Sequence, residues 1–223
     1  MKTLLEICCP TVETASIAEQ CGASRVELCS NLEVGGTTPT QQEIILVKQK
    51  LQIPIHVLIR PRAGTFDYNE IELQQMIAEI SFCKSKKIDG VVIGALLENG
   101  ELDEIKMKEM IASAKPMHIT FHKSFDECKN PFKTLDKLIE LGVNQILTSG
   151  QKPTALEGIE MLKALQLKTQ NKITIMPGGS VRAENVAEII RQTHATAIHS
   201  AAGVLKGNEY FKKEIQQMKF ELI

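Results

Sequence analysis

Eight short apolar runs, each with turn residues beside it and a helical pattern behind it, constrain this chain more than any other feature. The runs are Leu4 to Cys9, Arg25 to Cys29, Pro54 to Arg60, Gly90 to Ala95, Met117 to His122, Gln145 to Thr148, Ile173 to Met176 and Ala197 to Ser200. The helical patterns follow at about Val12 to Cys21, Thr40 to Lys50, Glu70 to Lys86, Leu102 to Ala114, Pro131 to Leu141, Ala155 to Lys168 and Ala183 to Gln192, with a last one near Glu209 to Met218. Eight strand–helix alternations are the count of a (β/α)8 TIM barrel, and 223 residues make it compact: one α/β domain over 1–223. Gly22 and Gly142 stand where helix-ending glycines belong, and Pro131 suits a first helical position. An open doubly wound sheet is the alternative, but no GxGxxG fingerprint supports it.

Composition removes other classes. With 26 basic and 27 acidic residues, the chain has no electrostatic footprint for nucleic acid or an anionic membrane. No apolar run approaches the roughly 20 residues that span a bilayer. Met1-Lys2-Thr3-Leu4-Leu5-Glu6 reaches a carboxylate too early for a signal peptide, so a cytoplasmic location is expected. Six cysteines in such a chain are not a disulfide framework, and a reducing compartment keeps them as thiols.

Alternate strand residues point into a barrel. Glu6 and Cys8 share a phase, as do Glu27 and Cys29, so Glu-x-Cys occurs on two neighbouring parallel strands. His56, Leu58, Arg60 and Arg62 share another phase, and so do His118, Thr120 and His122. Buried charges need partners, and the expected pairing is Glu6 and Glu27 with Arg60, His122 being close by. Cys8, Cys29, Arg60 and His122 lie at C-terminal strand ends, where barrel sites form, whereas His56 and His118 start their strands and read as structural. Glu6, Glu27, Arg60 and His122 are therefore the candidate catalytic set: His122 or Glu27 as acid/base, Arg60 to hold an anionic group. The alternative for the same residues is a structural ion-pair layer.

Met176-Pro177-Gly178-Gly179-Ser180-Val181-Arg182 follows the seventh strand and Ser200-Ala201-Ala202-Gly203 the eighth, and Ser149-Gly150 after the sixth neighbours the same place. Loops of this kind bind phosphate through backbone N–H groups in other barrels, which makes Ser149, Gly178, Gly179 and Arg182 candidate anion-binding residues. Strands one and two lie about 4.8 Å apart, so Cys8 and Cys29 can approach one metal ion. Thiolates select soft ions; Cu(I) accepts two sulfurs, while Zn(II) wants four ligands. Spacing alone also allows two small buried cysteines.

Several words of the chain resemble the CutC family of copper homeostasis proteins. They are Leu4-Leu5-Glu6-Ile7-Cys8, Arg25-Val26-Glu27-Leu28-Cys29-Ser30, Gly35-Gly36-Thr37-Thr38-Pro39, Ile59-Arg60-Pro61-Arg62, Thr120-Phe121-His122 and Pro177-Gly178-Gly179. The resemblance runs in order along essentially the whole chain. It implies a TIM barrel, a cytoplasmic role in copper handling, Cu(I) ligation by Cys8 and Cys29, and assembly as a homo-oligomer. It leaves open a barrel enzyme acting on a small anionic or phosphorylated substrate.

Overall fold

Short side chains with a free oxygen start most helices, which sets where each strand–helix unit turns. Thr11, Thr40, Asn69, Asp103 and Asn130 each accept a backbone N–H from the first turn of the helix they precede. Thr40 and Asn69 complete reciprocal boxes with Glu43 and Glu72. The computed structural model describes residues 3–222; Met1, Lys2 and Ile223, the ends of the span read from the sequence, lie outside the described residues.

The chain runs β1 (Leu4–Cys9), α1 (Val12–Gln20), β2 (Arg25–Leu28), α2 (Gln41–Lys50), β3 (Ile55–Leu58), α3 (Glu70–Ser85), β4 (Gly90–Ile93) and α4 (Glu104–Ala114). It continues through β5 (His118–Phe121), α5 (Pro131–Leu141), β6 (Gln145–Thr148), α6 (Ile159–Thr169), β7 (Thr174–Pro177), α7 (Ala183–Thr193), β8 (Ala197–Ser200) and α8 (Asn208–Glu221). All ladders are parallel, in the order β7-β6-β5-β4-β3-β2-β1-β8. This is the single-domain (β/α)8 TIM barrel that the alternation predicts.

The seam between β7 and β8 carries no ladder. Thr174 and Gly178 donate their N–H groups to β6, so Ile175 and Pro177 face the other way, toward β8. Pro177 has no N–H to give. No helix among the described residues is long and apolar enough to cross a membrane.

Two helices begin later than their apolar pattern suggests. Leu102 bridges to Leu96, and Asp103 takes the cap, so α4 starts at Glu104 rather than Leu102. The expected start at Ala155 gives way to Ile159, because residues 155–158 fold tightly over the loop after β6. An added Cβ on Gly158 would sit 1.8 Å from the Ser149 carbonyl oxygen. Gly142 is the opposite case: it ends α5 at φ +78° with nothing near its missing Cβ. Gly142→Ala should therefore cost about 1 kcal/mol, the strain of a left-handed alanine alone. Gly158→Ala should cost more, because backbone has to move. Urea unfolding of both variants checks the order.

The apolar side chains divide into an outer and an inner set. Leu5, Ile7, Val26, Ile55, Val91 and Phe121 pack outward beneath the helices in one large core. Inside the barrel the apolar clusters are small: Cys8, Cys29, Leu58 and Val92 on one side, Leu147, Met176 and Ala197 on the other. The remaining interior is polar, and the site is built from it.

Candidate functional site

The lower interior is an ion-pair layer centred on Glu6, which is fully buried. Arg25 donates from Nε to Glu6 at 2.6 Å, and His199 Nδ1 lies 2.7 Å from its other oxygen. The Arg25 guanidinium also reaches across the barrel to Gln145 at 3.1 Å. Burial pushes the Glu6 carboxyl up, but Arg25 and then His199 outweigh it and hold the group far below the usual carboxylate range. The expected partner was Arg60, and the structure corrects this. Arg25 is the direct neighbour of Glu6 in the β1–β2 register, while Arg60 lies two residues beyond β3.

His56 and His118 stack at 4.8 Å over the β4 residue Gly90, whose missing Cβ leaves them room. Burial pushes both imidazoles down, to about 3 for His56 and about 4 for His118. They sit where the sequence put them, at the N-terminal ends of their strands and away from the mouth.

Above Glu6 the interior opens. A cavity of about 190 Å³ is bounded by Cys8, Glu27, Cys29, Arg60, Phe66 and His122, with His199 below. The Cys8 and Cys29 sulfurs are 3.2 Å apart, and both residues are buried. The hydrogen bond with Cys29, then burial, pushes the Cys8 thiol well up, so it is protonated at neutral pH. Cys8 Sγ, a Glu27 oxygen and a His199 ring nitrogen all lie within 4.8 Å of one another, a ligand set of one soft and two harder donors. Burial raises Glu27 to about 7, with His199 pulling it down and Glu6 pushing it further up. One Glu27 oxygen has no partner.

His122 closes the far wall. Its Nδ1 accepts the Ser124 N–H at 3.2 Å, so the neutral ring carries its proton on Nε2, which has no partner. Burial, then the nearby Arg60 charge, pushes this imidazole down to about 3. Arg60 does not pair with Glu27 either. Its Nη atoms donate to the carbonyls of Val34, Gly36 and Gly64, stapling the loop after β2 to the loop after β3.

The anion-binding candidates are placed differently from one another. The Ser149 N–H and hydroxyl both donate to Asp126, which also receives the Gln151 N–H and the Lys123 ammonium. An internal carboxylate thus occupies the cradle formed by the loop after β6. The Gly178 N–H goes to the Thr148 carbonyl, and Arg182 donates to Val181 at 2.7 Å and to Ser200 at 3.5 Å. Gly179, at φ +112°, lies against the Lys123 ammonium and Ser149. These residues do not converge on the cavity.

Sequence reasoning missed Arg25, His199 and Asp126. Strand phase carried a signal for the first two: Arg25 is two residues before Glu27, and His199 is in the middle of β8. Asp126 gave none, since it sits in the short 3-10 turn Lys123–Glu127.

The chain is similar to known proteins over most of its length. The model described as CutC family matches residues 3–204. A CutC family protein of Parabacteroides distasonis is 43% identical over 203 residues, covering 91% of this chain and 84% of that one. The human copper homeostasis protein cutC homolog is 41% identical over 199 residues, covering 89% of this chain and 73% of its own length. The crystal structure of a CutC from Streptococcus agalactiae superposes with a TM-score of 0.86 at 34% identity, covering 89% of this chain and 98% of that one. Each of these matches spans most of both chains, and this chain belongs to the CutC family.

Proposed function

We propose that this chain is a cytoplasmic copper homeostasis protein that binds Cu(I) through Cys8 and Cys29 at the C-terminal mouth of the barrel. The observation that carries this reading is the contact of the two buried sulfurs at 3.2 Å. Thiolates suit Cu(I), which is satisfied by two of them, and Glu27 and His199 stand within reach as further donors. Binding must displace the thiol protons. The free oxygen of Glu27 is placed to take one of them. The name of the human relative supports the same direction.

The test is an anaerobic titration of reduced protein with Cu(I) against a competing chelator. About one tightly held ion per chain is expected, lost in Cys8→Ser/Cys29→Ser while the far-ultraviolet circular dichroism is kept. Unchanged binding in the double variant overturns the assignment.

A barrel enzyme acting on a small anionic substrate is the second reading. It is favoured by a cavity lined by Glu27, Arg60 and His122, each of which has a buried polar atom without a partner. Bound copper alone gives no reason for the last two. In this reading Glu27 and His122 exchange protons with the substrate.

A further inference from the structure

Arg60 is a buried cation without a counter-ion. It is 7% exposed, and no carboxylate among the described residues pairs with it. Arg25 is paired with Glu6 and Arg62 with Glu72, and Arg182, which also lacks a carboxylate, is only half-buried. Three backbone carbonyls take the Nη donors of Arg60, but they supply only partial charge, and its Nε–H has no partner. Leaving a charge buried in this way is costly unless something completes it.

A second residue lining the same cavity carries a buried orphan donor. His122 presents a neutral Nε2–H without a partner. The Phe66 ring joins the two residues: the Arg60 guanidinium carbon lies 4.9 Å from its centroid, and the His122 ring 4.9 Å from the same ring. The backbone is shaped for this. A Cβ on Gly94 would come within 2.6 Å of the His122 ring, so only glycine lets the imidazole take its place. Leu58 and Phe66 add apolar wall to the same cavity.

We propose that the cavity binds a small organic carboxylate, its oxygens received by Arg60 and His122 and its short apolar body by Leu58 and Phe66. A single negative charge matches the single uncompensated guanidinium. Phosphate is the poorer match. It brings a second negative charge, and the Ser149 and Gln151 N–H groups of the loop after β6 are already committed to Asp126. The inference gives the second reading its substrate class and rests on that reading's cavity, not on turnover and not on copper.

The experiment measures binding to copper-free wild-type protein, by isothermal calorimetry or saturation-transfer NMR, with three probes: butyrate, its neutral counterpart butyramide, and inorganic phosphate. Butyrate is expected to bind saturably, with butyramide roughly tenfold or more weaker, the loss of one charge-assisted hydrogen bond. Arg60→Gln should weaken butyrate by a similar factor. The probe comparison needs no variant, so a misfolded Arg60→Gln leaves the test intact. Absence of saturable butyrate binding, equal binding of the amide, or preference for phosphate overturns the proposal. Binding without turnover on any carboxylate would instead count against the enzyme reading alone.

Discussion

An Arg25→Ala variant is expected to lose about 3–5 kcal/mol of stability, a large share of what a domain of this kind has. Glu6 would remain fully buried with its guanidinium partner gone, and the Gln145 carbonyl oxygen would lose its donor as well. The cost comes from stranding a charge, not from the worth of the pair. Removing both charges in Glu6→Leu/Arg25→Met should therefore recover most of the loss. Urea unfolding at pH 7.5 measures all three proteins. An Arg25→Ala loss under 1 kcal/mol, or a double variant less stable than the single one, would contradict this account.

Acid should destabilise the protein well before ordinary carboxylates titrate. His56 and His122 are buried and pushed down to about 3, and His118 to about 4, from an ordinary 6.5. Their folded values lie below their unfolded ones, so the unfolded chain binds more protons as the pH falls below 6.5, and stability falls with it. Each imidazole contributes up to about 1.4 kcal/mol per pH unit. Glu27 works against them. Raised from 4.5 to about 7, it keeps a proton in the fold that the unfolded chain releases, which offsets about one imidazole between those values. Burial lowers His199, but Glu27 and then Glu6 outweigh it and raise its pKa, so it too keeps a proton in the fold above 6.5. Above 6.5 these two groups cancel the imidazoles; below it His199 is charged in both states, and the net is roughly two imidazoles, at most ~2–3 kcal/mol per pH unit. Below 4.5 the depressed Glu6 adds to the loss. Urea midpoints at pH 6.5, 5.5 and 5.0 should fall in that order, and His122→Gln should flatten the slope by about one imidazole. A midpoint that holds or rises from 6.5 to 5.0 would show that these rings are protonated within the fold.

The eight alternations, the strand phases and the helix-capping residues determined the barrel, since each depends only on neighbours along the chain. β1, β6 and β8 fall on the residues that their apolar runs mark, and so does α5, whose ends are set by Pro131 and Gly142. The same phases put Glu6, Glu27, Cys8 and Cys29 inside the barrel; the register then sets Cys8 opposite Glu27, and the Cys29 sulfur reaches it from two residues after Glu27. Ladder register, which no local pattern states, decided the rest. It sets Arg25 beside Glu6 and leaves Arg60 beyond its strand, bound to carbonyls of two loops. It also pairs the last strand with the first, so that His199 of β8 meets Glu6 of β1 at 2.7 Å across 193 residues of sequence. The loop after β6 shows the limit of reading composition as chemistry. Its glycine and serine look like an anion cradle, and the fold fills that cradle with Asp126 from the loop after β5. Side-chain type and phase are local properties, so the sequence carries them. Which charge meets which depends on the arrangement of all eight strands, and only the closed barrel decides it.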